Sequence, residues 1–590
     1  MTRYAIDPVT RVGGHLRIEV EVDGGAVRDA WSSGTVFRGL ELILKGRDPR
    51  DAWLFAQRVC GTCTGAHALA SVRAVEDALG VMIPRNARLL RNLLYGAIVA
   101  RDHVFTFYQQ SAFDWIDPLA ALEADPEATA RLARSISDWP SSNAAHFRDV
   151  QARLAAHVAS GRLGPLANGY WGHPAYVMAP EADLMVMAHY FEALDWQRRA
   201  NRYVTLLGGK DPHPQTLIVG GMVLPPPWGG PVKPPIGEHP NLPERESPTA
   251  LSPEGLAELE TLIGELQAFV DRVYVPDALA IAQYHEDWLG LGAGLGNYLS
   301  AGEFPEGDTA ESLRLLAPGR IMGGDLERLE PIDPAAMAET VAHAWYTDQR
   351  GDDALVPPAE GETTQRYSGP PVPFDTLEGA DHYSWIKAPR YAEVPMEVGP
   401  LARILVSYVA GSRLVRTAVN DYVGRLQLGV EALSGTTGRM VARAIEAQLV
   451  VDRLDRWLAE LRETLASGDV AVADITAWDP GVWPAEVSGW SLGEAPRGTV
   501  GHWLTIENQL LGAYQIIDAT TWNGSPRDTR NWRGPLEEAL VGTPVVDPAR
   551  PLEILRTVHS FAPCTACAAH LAGPEVPAPI QVHVHTGAGR

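Results

Sequence analysis

Hydrophobic and polar residues alternate near the start of the chain and then change to a helical spacing. Between about residues 4 and 36, the stretch HLRIEVEVDGGAVRDAWSS alternates around an Asp-Gly-Gly turn, a pattern typical of a β-hairpin. After Cys63 the apolar positions recur every three to four residues, which predicts a helix that ends near Gly80. The pattern therefore predicts a small β region followed by a helical body.

Helical spacing dominates the rest of the chain. Apolar stripes predict three long helices, over residues 86–112, 181–207 and 436–466. Ser252, followed by Pro253 and Glu254, is typical of a further helix N-terminus. We therefore predict a mainly α (α+β) fold, a large long-helix bundle with small peripheral β-sheets.

Two stretches show neither the alternation of a strand nor the spacing of a helix. Residues 211–250 are rich in proline and glycine and are expected to form a surface excursion, and residues 302–380 are loop-rich and acidic. Neither is long or polar enough to separate two domains. We therefore predict one domain over residues 1–570, with a β region at about 4–36 and a helical core at about 60–570.

Charge and hydropathy exclude several classes of protein. The 590 residues include 49 Lys and Arg against 73 Asp and Glu, a net charge of −24, and no basic run stands out. Such a chain is not expected to bind nucleic acid or an anionic membrane surface. No secretion signal and no apolar run of eighteen residues is seen. We expect a cytoplasmic protein that could associate with a membrane only through a partner.

All four cysteines lie in two Cys-x-x-Cys pairs, Cys60/Cys63 and Cys564/Cys567. Disulfide-stapled secreted folds are small and cysteine-dense, and this chain is neither, so we expect a reducing compartment. Such pairs leave three interpretations open: a structural zinc site, a redox dithiol or buried thiols. Haem attachment would need a histidine directly after a pair, where threonine and alanine stand here. Pairs so far apart form one site only if the whole fold closes it.

His67 is a further candidate ligand. It follows Cys63 by four residues, so both lie on one helix face, close to the positive end of the helix dipole. Gly65 and the alanines around it are small enough to allow close approach of a backbone or a cofactor. Taken alone, His67 is also compatible with a buried structural histidine.

Two motifs carry a resemblance to a known family. Arg58-x-Cys60-Gly-x-Cys63-x-x-x-His67 and Pro563-Cys564-x-x-Cys567-x-x-His570 resemble the paired signatures of the large subunit of nickel–iron hydrogenases. The stretches DPVTRVGGHLRIEVEVDGG, LGGKDPHPQTLIVGG, EAPRGTVGHW and TTWNGSPRD resemble that family too, in its order. The likeness covers nearly the whole chain and implies an active site buried between the N- and C-terminal motifs.

The resemblance assigns a role to each thiol. It implies that Cys60 and Cys564 are terminal nickel ligands and that Cys63 and Cys567 bridge nickel and iron, whose other ligands are carbon monoxide and cyanide. Soft sulfur donors suit these metals. Arg497, preceded by Pro496, would hold its guanidinium over the open coordination position, and the Thr520 hydroxyl would donate to a cyanide.

The resemblance also implies a second metal site and several partners. Glu41, the carbonyl of Ile516 and His570 would hold magnesium, or iron because histidine is an unusual magnesium ligand. The nickel–iron centre would use all four cysteines, so iron–sulfur clusters would lie only in a small partner subunit, near Lys210–His213. A heterodimer is implied, or a dimer of heterodimers, together with a maturation protease and nickel-insertion proteins.

The implied activity is heterolytic cleavage of dihydrogen, in which Cys564 or Arg497 takes the proton. Two acids usual in the family are missing, because Gly13 replaces a proton-relay glutamate and Ala562 replaces an aspartate that pairs with the arginine. Asp114 would then be the remaining carboxylate beside Arg497.

These substitutions predict a slower enzyme. We hypothesise that protons use water near Gly13, with His15 or His67 as candidate relays. Residues 571–590 would be a maturation peptide that is cleaved after His570. Ala519 stands where proline is usual.

Three alternatives differ in their sequence requirements. A hydrogen-sensing regulatory subunit of low turnover would share the metal site but lack a cleavable tail. A quinone-binding relative in a respiratory complex would lack the four cysteines, and a zinc protein would not share the remaining motifs. The leading prediction is the catalytic subunit of an uptake hydrogenase.

Overall fold

Helices make up the body of the protein. The computed structural model describes residues 2–162, 164, 166, 170–224, 250–309, 313–361, 363–371 and 374–568. Its α-helices are α1 Leu40–Leu44, α2 Ala52–Ala56, α3 Thr64–Leu79, α4 Arg85–Phe105, α5 Pro118–Glu123, α6 Pro126–Ile136, α7 Ala144–Ser160, α8 Pro180–Gly208, α9 Pro253–Phe269, α10 Val275–Tyr284, α11 Pro400–Val409, α12 Arg413–Arg425, α13 Thr436–Ala466, α14 Ala519–Asn523, α15 Pro535–Leu540, α16 Leu552–Ser560 and α17 Thr565–Ala568.

The strands form small separate antiparallel sheets. They are β1 Thr2–Ile6, β2 Leu16–Asp23, β3 Ala26–Gly34, β4 Leu217–Ile218, β5 Gly221–Met222, β6 Tyr298–Ser300, β7 Glu303–Pro305, β8 Arg314–Leu316, β9 Gly319–Ile321, β10 Met337–Thr340, β11 Tyr346–Asp348, β12 Thr363–Gln365, β13 Ala388–Tyr391, β14 Glu486–Ala495, β15 Gly498–Glu507 and β16 Leu510–Ile517. The sheet orders β1-β2-β3 and β14-β15-β16 are simple meanders, and the other sheets have two strands. The mainly α (α+β) prediction is therefore confirmed.

Several predicted elements are present with shifted ends. Helix α3 ends at Gly80, whose φ of 65° provides the left-handed cap that glycine favours. The Ser252 side chain caps α9 by accepting a hydrogen bond from the Gly255 N–H. The helix predicted over 86–112 is α4, continued by a π-helical turn over Thr106–Ser111. The β2–β3 turn uses two glycines with positive φ, as the Asp-Gly-Gly pattern predicts.

Helix α4 packs against α13, the 31-residue helix at the centre of the main core. Gly96 of α4 permits this approach, since a Cβ there would lie 3.0–3.3 Å from Leu454, Trp457 and Val450. Of the region 211–250, the described part includes the β4–β5 hairpin, and residues 225–249 fall outside it. Among the described helices, none combines the length and the apolar character needed to cross a lipid bilayer.

A second core joins the two ends of the chain. Apolar residues of β2 and β3, including Ile18, Val20 and Val27, pack with Leu536 of α15 and Ile554 of α16. The N-terminal sheet is therefore tied to the segment that leads into the second cysteine pair. This packing places the loop between β1 and β2 beside Cys564.

Arg403 of α11 links three elements around a hairpin turn. Its guanidinium pairs with Glu446 of α13 at 2.7 Å and with Glu494 of β14 at 2.7 Å. It also donates to the carbonyls of Ala495 and Pro496, both at 2.9 Å. All these side chains are buried, so the network fixes the turn after β14 rigidly to the helical core.

We predict that Arg403→Gln lowers the free energy of unfolding by about 3–5 kcal/mol, because it leaves two buried carboxylates short of a partner. Thermal or denaturant unfolding of the purified protein measures this. Arg462→Gln on α13 removes a solvent-accessible pair with Glu260 of α9 and should have a much smaller effect. Equal effects of the two changes would contradict this role for Arg403.

Candidate metal centre

Four thiols from the two ends of the chain meet in the interior. The Sγ atoms of Cys60 and Cys564 lie 3.8 Å apart, as do those of Cys63 and Cys567, and Cys564 and Cys567 are 2.7 Å apart. All four are buried free cysteines rather than disulfides. The residues expected as metal ligands therefore converge on one point.

The first pair is shaped by the start of α3. Cys63 is the N-cap residue, and the backbone N–H groups of Thr62 and Cys63 donate to Cys60 Sγ at 3.3 and 3.0 Å. Donors aimed at sulfur favour the thiolate, the form that binds metal. Burial opposes ionisation of Cys60, but the neighbouring thiols and Arg497 outweigh it and hold the Cys60 pKa well below its usual value.

The second pair is held by two contacts, from the loop after β1 and from α14. Gly13 forms a parallel bridge with Cys564. The Thr520 hydroxyl, in α14, accepts the Cys564 N–H at 2.9 Å. Helix α14 begins at Ala519 without the proline usual in the family, because the Asp518 side chain caps it through the Thr521 N–H.

Arg38 joins the two motifs directly. Its guanidinium donates to the carbonyls of Arg58 and Val59, at 2.7 and 2.6 Å, and to that of Ala566 at 3.0 Å. One side chain therefore bridges segments more than 500 residues apart. Arg38 was not singled out from the sequence, because no spacing or motif marks it as a bridge between the two pairs.

Arg497 lies at the tip of a two-residue turn. Ala495 pairs with Gly498, so Pro496 and Arg497 alone connect β14 to β15. The Arg497 guanidinium donates to the Thr62 hydroxyl at 2.5 Å and pairs with Asp102 of α4 at 3.2 Å. Burial disfavours its charge, but Asp102 and the thiols hold the Arg497 pKa well above its usual value.

Asp114 is not the partner of Arg497, contrary to expectation. Its carboxylate pairs with Arg11 at 2.6 Å and with His559 Nδ1 at 2.6 Å. Burial opposes its charge, but Arg11 and the hydrogen bond from His559 lower the Asp114 pKa. Asp102 lies three turns earlier on the helix and takes the place expected of Asp114.

Gly13 and Ala562 both approach the second pair. A Cβ on Gly13 would lie 2.7 Å from Cys564 Sγ, so this position is crowded on the sulfur side. Ala562 adopts a left-handed backbone with φ of 48°, a conformation that aspartate enters more readily than alanine. The missing aspartate therefore removes both a carboxylate and a residue type suited to this backbone.

His67 begins a chain of buried polar side chains. One of its nitrogens, together with the sulfurs of Cys63 and Cys567, forms a cluster within 4.8 Å. Its Nδ1 lies 3.2 Å from His502 Nε2, and His502 contacts the Tyr514 hydroxyl at 2.7 Å. Burial lowers the His67 pKa to about 4, so the ring is neutral at physiological pH. His502 lies in the stretch EAPRGTVGHW but was not singled out from the sequence.

Glu41 is buried, and one of its carboxylate oxygens has no hydrogen-bond partner among the described residues. One carboxylate oxygen accepts the Ile516 N–H at 2.8 Å, while Oε2 has no partner among the described residues. Burial raises the Glu41 pKa to about 7. The expected third ligand, His570, lies outside the described residues. Glu41 and Ile516 are therefore adjacent, with an unused acceptor where a cation was expected.

A family model described as nickel-dependent hydrogenase matches residues 38–570, and one described as HoxL-like matches residues 3–33. The chain belongs to the nickel-dependent hydrogenase family. It is 44% identical to the uptake hydrogenase large subunit of Rhizobium leguminosarum bv. viciae, with 97% of this chain and 96% of that protein covered. It is 43% identical to the hydrogenase-1 large chain of Citrobacter freundii, with 97% and 95% covered.

Solved structures of nickel–iron–selenium hydrogenases share the fold of this hydrogenase. The reduced enzyme of Desulfovibrio vulgaris Hildenborough superposes with a TM-score of 0.73 at 31% identity, covering 96% of this chain and all of that one. The four buried thiols fit a nickel–iron centre, since sulfur donors are soft and no disulfide competes for them. The names of the relatives, large chain and large subunit, imply a small-subunit partner.

We predict that Asp102→Asn slows hydrogen oxidation per nickel atom, because it removes the carboxylate partner of Arg497. Asp114→Asn should instead lower the thermal midpoint, since it leaves Arg11 and His559 without their shared anion. Turnover per nickel and thermal unfolding, measured on both variants of the hydrogenase, separate the two roles. A larger loss of turnover per nickel in Asp114→Asn would restore the pairing expected from the sequence.

Proposed function

We propose that this hydrogenase large subunit oxidises dihydrogen and passes the electrons to an iron–sulfur small subunit. The convergence of four buried thiols beneath Arg497 carries the proposal. Relatives named uptake hydrogenase large subunits, at 44% and 43% identity, support hydrogen oxidation as the direction. All four cysteines of the chain lie in the site, so iron–sulfur clusters must be supplied by the partner.

Cys60 and Cys564 would hold nickel, and Cys63 and Cys567 would bridge nickel to an iron that carries carbon monoxide and cyanide. When bound, this centre supplies the redox chemistry and polarises dihydrogen. Cys564 would accept the proton, because the Gly13 contact leaves its sulfur next to a half-exposed segment.

Arg497 would point its guanidinium at the open coordination position. Its three anchors are Thr62, Asp102 and the turn that Arg403 fixes, and a preorganised donor of this kind costs no reorganisation during the reaction. The Thr520 hydroxyl accepts the Cys564 N–H, so its own hydrogen can be donated to a cyanide.

Electrons would leave near residues 210–213. The His213 N–H donates to the Thr64 hydroxyl at 3.3 Å, so this loop contacts the residue next to Cys63. Lys210 and Pro212 are exposed in the isolated chain. The loop therefore offers the small subunit a surface close to the bridging thiols.

Glu41 would hold a second cation with Ile516 and His570. The unpartnered, buried Glu41 Oε2 supports a cation, and oxygen donors favour magnesium over iron. This site would tie α1 to β16 and to the end of the mature chain.

The metal content and the vibrational spectrum of the purified heterodimer test the proposed centre. We expect one nickel per large subunit, iron beyond the amount in the small subunit, and infrared bands of metal-bound carbon monoxide and cyanide. Each band should vanish in Cys564→Ala, which removes a metal ligand. Zinc without these infrared bands would refute the proposal.

The proton path would start at Cys564 and run through water at residues 13–15. Gly14 is exposed and His15 is half-buried, which supports access to solvent, whereas His67 lies on the opposite, buried side with His502. Gly13 itself offers little room, because any Cβ there meets Cys564 Sγ.

We predict that Gly13→Glu speeds hydrogen–deuterium exchange relative to Gly13→Gln, because both crowd Cys564 equally but only glutamate can relay a proton. A positioned acid–base group contributes about 10²–10⁴-fold. Exchange rates per nickel atom of the two variants measure the difference. Equal rates would show that proton relay at this position does not limit turnover.

We predict that the mature chain ends at His570. The family match also ends at residue 570, which supports a separate role for residues 571–590 as a maturation peptide. The intact mass of the large subunit from active heterodimer should correspond to residues up to 570. A mass that retains the last twenty residues would refute cleavage.

A further inference from the structure

A small buried cavity lies near the Arg497–Asp102 pair, since Thr106, whose hydroxyl donates to Asp102, lines it. Its volume is about 20 Å³, close to the space of a single water molecule. Nine of its ten lining residues are buried, and they include two arginines, Arg443 of α13 and Arg556 of α16. Hydroxyl groups of Thr106, Ser111 and Thr436 also line it.

Neither arginine has a carboxylate within ion-pair distance among the described residues. Arg443 Nη2 donates to the Ser560 carbonyl at 3.2 Å, while its buried Nη1 has no partner in that part of the chain. Arg556 donates to two carbonyls, of Asp114 at 2.7 Å and of Ala175 at 2.9 Å, and lies over Trp115. Burial lowers the pKa of each guanidinium to about 10, which reflects the uncompensated charge.

The nearby acids are already used. Asp102 pairs with Arg497, and Asp114 is shared by Arg11 and His559. Four guanidiniums, of Arg11, Arg443, Arg497 and Arg556, therefore share two carboxylates, and the thiols add negative charge only on the Arg497 side. Ala562 follows Ser560 by two residues and adds no negative charge.

Two further acids lie near the cavity: Glu446 is already paired, and Glu553 compensates Arg556 rather than Arg443. Glu446 pairs with Arg403 at 2.7 Å and His103 at 3.0 Å. Glu553 accepts the Val546 N–H, with His173 at 4.0 Å. A buried charge without a partner is unfavourable, so the unpartnered Arg443 Nη1 favours a further anion on its side of the cavity.

We propose that the cavity binds one small monovalent anion of chloride size, held by Arg443 Nη1 and by the Thr436 hydroxyl, which can accept from Thr557 and donate to the anion. Arg556 also lines a surface groove of about 420 Å³, which offers an entry route. Glu286 and Asp287 line that groove, and their negative charges repel an approaching anion. Exchange of the anion with solvent should therefore be slow.

Crystals of the large–small heterodimer grown with sodium bromide in place of chloride give the direct test. We expect an anomalous bromine peak in the cavity, within hydrogen-bond distance of Arg443 Nη1. Density for water without an anomalous signal would overturn the proposal.

Thermal unfolding in solution provides the second readout. At matched ionic strength, chloride should raise the thermal midpoint above its value in gluconate, and the rise should grow with chloride concentration. The chloride effect should disappear in Arg443→Met. It should persist in Arg462→Met, which removes a half-buried arginine of the same helix that pairs with Glu260 far from the cavity lining.

Three outcomes would count against the anion. An equal chloride effect in the wild type and Arg443→Met would place the effect elsewhere. The absence of any chloride effect in the wild type would show that no chloride ion stabilises the folded protein at the buried site. A bromine peak without chloride-dependent stability would mean binding at crystal concentration only.

Discussion

The meeting of two thiol pairs that lie 504 residues apart is the constraint on which the rest of the structure depends. No local segment can satisfy it, so the helical body, the N-terminal sheet and the last helices must all reach their places together. The second core, between β2, β3, α15 and α16, holds the two ends of the chain together by apolar packing. Arg38 joins the two cysteine motifs directly by hydrogen bonds. Thiols brought together only by tertiary structure are positioned as accurately as the core is packed.

Charged residues surround the thiols at increasing distances. Arg497 sits closest and is balanced by Asp102, while Arg403 lies behind the same turn with two carboxylates of its own. Farther out, cations outnumber acids around the cavity that Arg443 and Arg556 share. The loss of an aspartate at position 562 therefore changes the charge balance of a region wider than the metal site alone.

The thiols and the arginine of this site could be predicted from the sequence, because their spacing and motifs are visible in it. Thiols at fixed spacing and an arginine in a stretch typical of the family are recognisable without coordinates, and the structure brings them together. The partner of Arg497 was not recognisable, since Asp102 and Asp114 are both buried acids on one helical run. The π-helical turn over Thr106–Ser111 lies between them and turns the later residues toward Arg11 and His559. Periodicity of an ordinary α-helix contains no sign of that insertion.

The distance in sequence between the two pairs also sets an order in time. Ribosomes add about 5–20 residues per second, so Cys60 and Cys63 leave the ribosome roughly 25–100 s before Cys564 and Cys567 are made. During that interval the first pair has no partner thiols and α16 does not yet cover the N-terminal sheet. A half-made chain therefore exposes two reactive thiols at a helix N-terminus, which is a period of vulnerability to oxidation and to stray metal ions. Protection of nascent chains would matter more for this fold than for one whose ligands lie close together.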